Sequence, residues 1–293
     1  MPYAKSQKYS EIEHIAKAIW LGRYSRDNVM GLLSAAYFDA SGKQKGYPFL
    51  TVAGAVSPIK KWIRFEKQWM QALNDEGVTE FHATDFAASQ GEYEAWKGDK
   101  QRRSAFVKRL VGIIKKNANK LFLLTVEIKI WEQVNREYPL EENFHSAYAL
   151  AGFSVAALAL RWATKKRVRK TFDIYFEDGD EGWGGLNELC KKHLQFEPIR
   201  IPKSKAVPFQ VGDFLSWKAR ITATNAMKIV DGLQRGDKLD EVMKELDSLN
   251  RILVCPVKNG IYTAEGLRGT CRNLKIPKRP APASVAGRRI ELR

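Results

Sequence analysis

The chain has 293 residues, 44% hydrophobic and 28% charged, a balance that excludes a wholly disordered polymer and allows a full core. Its 49 Lys and Arg outnumber 33 Asp and Glu, and the formal net charge of +16 favours a polyanionic partner through steering and counterion release. Cys190, Cys255 and Cys271 form no CxxC pair, which excludes a disulfide framework and fits a reducing, cytoplasmic setting.

Residues 1–30 read as a helical N-terminal extension, because Ile12, Ile15, Ala16 and Ile19 share one face at helical spacing. Lys5, Lys8, Glu11 and Glu13 interrupt any apolar stretch of signal-peptide type there, so cytoplasmic localisation without a membrane partner is expected. Then the period changes. Leu32–Asp39 and Phe49–Val56 are short, apolar and bracketed by turn residues, and Asp39-Ala-Ser-Gly42 with Gly46 predicts an antiparallel pair. Helices are expected over Ile59–Leu73 and Arg102–Lys116, a helical insertion near 58–118, followed by a third strand at Leu121–Ile128. Asn143–Thr164 reads as a core helix: its uncharged run Ala147–Leu160 falls short of the roughly 20 residues that span a bilayer.

A basic run at Lys165–Lys170 leads into a fourth strand, Phe172–Glu177, and an acidic loop, Asp178–Gly185. A helix near Leu186–His193, a short strand near Ile199–Ile201, a linker from Pro202 to Pro208 and a helix over Phe209–Thr222 follow. Hairpin strands first and helix-separated strands afterwards predict an α/β domain over 31–224, a mixed sheet flanked by helices on both faces. Residues 225–274 read as a helical C-terminal appendix, including Lys238–Leu253, and 275–293 as a basic flexible tail with Pro277, Pro280 and Pro282.

Carboxylates at the ends of these elements are the candidates for chemistry. Asp39 is delivered by an apolar strand into a Ser-Gly turn, a placement that suits a metal ligand and equally a turn-capping Asx bond. Glu177 ends the fourth strand, amid Asp173, Asp178, Asp180 and Glu181, whose mutual repulsion a cation relieves. Asp178 is the reserve ligand, while Asp180 and Glu181 are expected to face solvent. Asp213 opens the late helix beside Gln210 and Gly212, where the helix dipole alone also favours an acid. If the first and fourth strands are neighbours, Asp39, Glu177 and Asp213 converge on a site for Mg²⁺ or Mn²⁺, and two such ions support phosphodiester hydrolysis. His82 and Asp85 suit either an auxiliary proton-transfer role or a local loop clamp. His14, His145 and His193 lack a comparable partner set.

In the order and spacing of these segments the chain resembles a family catalogued as domain of unknown function 3800, placed among the ribonuclease-H-like folds. Tyr37-Phe-Asp-Ala-Ser-Gly42 is similar to its opening Asp-Glu-Ser-Gly, Glu80-Phe-His-Ala-Thr-Asp85 to its Glu-x-His-x-x-Asp, and Phe209-Gln-Val-Gly-Asp213 to its late Gln-x-x-Asp. Phe176-Glu177 stands where the family carries an acid after an apolar strand, and the resemblance runs over residues 32–260. Ala40 departs from the usual Glu, and Glu177 from the usual Asp, which lengthens the reach by one methylene. The resemblance implies a ribonuclease-H-like fold with a metal-dependent, nuclease-like site.

Basic blocks at Lys60/Lys61/Arg64, Lys100/Arg102/Arg103, Lys165–Lys170, Lys191/Lys192 and Lys203/Lys205 suit the phosphates of a nucleic acid, DNA or RNA. Solvated helix faces explain part of them. Trp183 is the tryptophan expected at the surface; Trp62, Trp69, Trp96, Trp131, Trp162 and Trp217 read mostly as core. The sequence therefore points to a metal-dependent nuclease, or to a catalytically inactive nucleic-acid-binding protein of a mobile element or phage-defence system.

Overall fold

The structure is a computed structural model that describes residues 33–42, 46–234 and 257–280. The expected helices within 1–30 and over Lys238–Leu253 lie outside these residues. Six strands form one sheet: β1 (Ser34–Ser41), β2 (Phe49–Pro58), β3 (Lys120–Glu127), β4 (Phe172–Glu177), β5 (Ile199–Ile201) and β6 (Val257–Tyr262), in the order β5-β4-β1-β2-β3-β6. Only β2 runs against the other five. The run β5-β4-β1-β2-β3, with β2 alone reversed, is the mixed sheet flanked by helices that the sequence predicts.

The strands are near-continuous apolar runs because both faces are covered. Ala36 and Phe38 of β1 belong to one core and Ala35 and Tyr37 to the other, as the two-residue period dictates. The first core packs under α6 (Ala147–Lys165), which Ser146 caps by accepting from Ala149 N. By length and composition this helix could cross a membrane, yet most of it is buried against the sheet. The second core is filled by the insertion: α1 (Ile59–Asp75), α2 (Ala83–Ala88) and α3 (Lys100–Asn117). Ile59, Trp62, Phe65, Trp69 and Leu73 of α1 are buried at helical spacing, and Trp69 and Phe81 pass the aromatic contact on to Phe214.

The remaining helices are α4 (Ile128–Glu137), α5 (Leu140–Phe144), α7 (Trp183–Leu194), α8 (Phe209–Gln234) and α9 (Ala264–Asn273). Two expectations are corrected at the C-terminal side. The late helix continues ten residues beyond 224, to Gln234, and Val257–Tyr262 is a strand that extends the sheet parallel to β3, so the appendix is not all helical. The start of the basic tail is docked rather than loose: Arg279 N donates to Glu137 O at 2.8 Å, and its guanidinium lies 3.0 Å from Glu142 Oε1.

Candidate active site

β1 and β4 lie side by side and parallel, with Phe38 opposite Phe176, so Asp39 and Glu177 leave the sheet at the same edge. Helix α8 crosses directly above β1 and β2. A Cβ on Gly212 would fall 2.9 Å from Asp39 Cβ, Asp39 N and Ala53 O, so only glycine lets the helix approach this closely. That contact brings Asp213 against Asp39. Gln210 fixes the first turn of α8, its Oε1 accepting from Trp69 Nε1 at 2.7 Å and from Phe81 N at 2.9 Å. Ala83 N donates to Asp213 Oδ2 at 3.2 Å, which ties the 80–85 segment to the same helix.

Asp39, Glu177 and Asp213 all line one cavity of about 300 Å³, together with Ser41, Gly42, Tyr47, His82, Thr84, Lys203 and Arg220. A larger groove of about 530 Å³ between α1 and α3, lined by Lys67, Gln71, Arg109 and Lys116, holds no acids, so the candidate carboxylates all belong to the smaller cavity. Asp39 and Asp213 are buried, at 3% and 8% exposure. Lys203 was not among the expected site residues, yet its Nζ lies 2.8 Å from Asp213 Oδ2 and 3.5 Å from Asp39 Oδ2. Burial opposes its charge, but the fields of Asp39 and Asp213, the hydrogen bond to Asp213 and the field of Glu177 hold the ammonium well above its ordinary range. Tyr148 reports the same field: burial first, then Asp39 and Glu177, push its phenol up, and its buried Oη has no hydrogen-bond partner among the described residues.

Arg220, two helical turns beyond Asp213, is the second cation in the lining. It is buried, donates from Nε to Ser41 Oγ at 3.0 Å and stacks on the Tyr47 ring at 4.2 Å. Gly42 makes room for it with φ +87°, where a Cβ would sit 2.0 Å from Phe49 O.

The other expected residues fall in different places. His82 lines the cavity, while Asp85 reaches it only through His82, with Oδ2 3.3 Å from Nδ1 and both side chains about half exposed. Asp178 does not line the cavity; its carboxylate pairs with Arg200 at 3.1 Å. Asp180 is buried rather than solvated. Trp183 is half-buried, against Phe176, with the Arg200 guanidinium 5.5 Å from its ring. His145 faces Glu188 and His193 packs on Phe153, and His14 lies outside the described residues. Several basic residues read as nucleic-acid surface are engaged internally: Lys61 with Asn119, Arg64 with Asn117, Arg102 with Glu76 and Arg103 with Phe86 O.

The donor set fits a hard divalent cation, since the lining offers three carboxylates and no thiol. Two of these carboxylates already hold a cation, the Lys203 ammonium. Among the described residues, no three His, Cys, Asp or Glu side chains are grouped closely enough to hold an ion.

No protein-family model matches the chain, and no curated protein matches it. A chain from the structure of the PCNA:RNase HII complex from Archaeoglobus fulgidus is similar, at 18% identity and a TM-score of 0.40 over 77% of this chain and 94% of that one.

Proposed function

We propose that the protein is a Mg²⁺- or Mn²⁺-dependent nuclease that hydrolyses phosphodiester bonds of DNA or RNA at the cavity between β1, β4 and α8. One observation carries this reading: Asp39, Glu177 and Asp213, distant in the chain, line a single cavity that also contains two cations. The resemblance to the domain of unknown function 3800 family supports it, because Asp39 and Asp213 fall in matching segments and Glu177 stands where that family carries an acid after an apolar strand. Asp39, Glu177 and Asp213 would hold the divalent ion, which when bound supplies Lewis-acid activation of water and stabilisation of the leaving oxygen.

The chain's own residues do the rest. Arg220, fixed by Ser41 and Tyr47, offers a rigid cation to a non-bridging phosphate oxygen, the pairing for which a guanidinium is suited. Lys203 holds Asp39 and Asp213 in one place before substrate arrives. His82, half exposed on the cavity wall and oriented by Asp85, is placed to pass a proton to the departing strand. The net charge of +16 draws the polyanion in.

The test is cleavage of labelled single- and double-stranded DNA and RNA with Mg²⁺, Mn²⁺ or EDTA. Asp39→Asn and Asp213→Asn are each expected to lower metal-stimulated cleavage by more than about a hundredfold, beyond what loss of a supporting residue costs, with circular dichroism unchanged. Full activity in both variants contradicts the assignment. A second reading, the inactive nucleic-acid-binding protein, draws on the Lys203 ammonium lying against two of the acids. It requires salt-sensitive binding that neither EDTA nor the carboxylate variants change.

A further inference from the structure

Lys203 stands in a 3₁₀ turn, Lys203–Lys205, immediately after β5 and Pro202. Its neighbour Lys205 is exposed, whereas the Lys203 side chain is only 15% exposed and ends between two acids. A buried ammonium persists only where opposite charge and hydrogen bonds replace its lost water. Asp39 comes from a strand and Asp213 from a helix, and each is fixed by other contacts: Ala40 N donates to Asp39 Oδ1 at 2.6 Å and Ala83 N to Asp213 Oδ2 at 3.2 Å. Lys203 thus meets two acids held together by the fold, and relieves their repulsion as a metal would.

We propose that Lys203 is the site's own second cation: its ammonium bridges Asp39 and Asp213 in place of one metal, so that the cavity takes one divalent ion and not two. The inference rests on the metal-dependent reading above. Charge balance points the same way. Among the lining residues, the formal charges of Asp39, Glu177, Asp213 and Lys203 sum to minus two, which matches a single divalent ion. Arg220 and one phosphodiester add opposite unit charges and keep the cavity neutral. A second divalent ion would add two positive charges beside the Lys203 and Arg220 cations, a repulsion that the low-dielectric wall strengthens. Lys203 is thereby a positioning residue. It holds the ligands and sets the ion count.

The test is titration of the full chain with Mn²⁺ alone, followed by loss of the free-ion electron paramagnetic resonance signal, with circular dichroism monitoring the fold. One Mn²⁺ per chain is expected for the wild type and for Lys203→Arg, which keeps the charge. Two are expected for Lys203→Met and for Lys203→Gln, which retains a hydrogen-bond donor if the methionine variant does not fold. A purely structural lysine would alter stability and leave this number unchanged. Two ions on the wild type, or one on a folded uncharged variant, overturns the proposal and leaves the metal-dependent reading standing. No ion on the wild type overturns both.

Discussion

Strands β1 and β4 carry acids at both ends of their shared run, and the two ends handle them differently. At the carboxyl end, Asp39 and Asp213 share the Lys203 ammonium beside an open cavity. At the amino end Asp173, opposite Ala35, is served by the Tyr175 phenol, and no cation pairs with it among the described residues. Burial pushes the Asp173 carboxyl above its ordinary value, against the Tyr175 hydrogen bond. Tyr37, stacked on Tyr175 at 4.9 Å, is also pushed up, first by burial and then by Tyr175, Asp173 and Glu66. Partly withdrawing an acid from water is therefore no mark of a site. What distinguishes the carboxyl end is that the fold delivers a cation to its acids and leaves room beside them. Crevices outside the carboxyl ends of parallel strands are where α/β sheets place their ligands.

The comparison breaks first at Lys203. Lys203→Met leaves buried acids without their cation, and the metal-free protein is expected to lose about 3–5 kcal/mol, the usual effect of removing one partner of a buried pair. A fall in the urea midpoint reads this out. Saturating Mg²⁺ is expected to restore part of the loss by binding the folded state. No loss would mean that the ammonium is not what holds the acids.

Asp173 sharpens the contrast, with a smaller effect of opposite sign. The native protein holds its proton above the pH at which the unfolded chain releases it, so this group costs stability as pH rises past the ordinary 3.8. Asp173→Asn is therefore expected to raise the urea midpoint at pH 7, with the gain fading as the pH falls toward 3.8. A gain that is constant with pH would show that packing, not charge, is at issue.

Much of the fold was legible because period and punctuation agree. β1 and β2 are apolar runs joined by Asp-Ala-Ser-Gly, and Ile59–Leu73 repeats its large residues every three to four positions. Strand β6 was not legible: Val-Lys-Asn-Gly-Ile-Tyr has mixed propensity, and its place is set by pairing with β3, a contact remote in sequence. The meeting of Asp39, Glu177 and Asp213 at one cavity was legible because each interrupts an apolar element near its end. Lys203 was hidden within a Lys-Ser-Lys block, where a solvated surface is the ordinary reading and only the return of the chain after β5 buries one lysine of the pair. Arg220 carried a signal that spacing could have revealed, a charge seven residues beyond Asp213 and so on the same helix face. Asp178 and Glu177, adjacent in sequence, were separated by strand alternation and by Arg200 on the neighbouring β5.

The most direct test is anomalous diffraction from crystals soaked in Mn²⁺. The account predicts a manganese peak inside the cavity, touching oxygens of Asp39, Glu177 or Asp213, and its loss in Asp39→Asn crystals. Saturating Mn²⁺ that leaves the cavity empty, or that binds only away from these three acids, would contradict it.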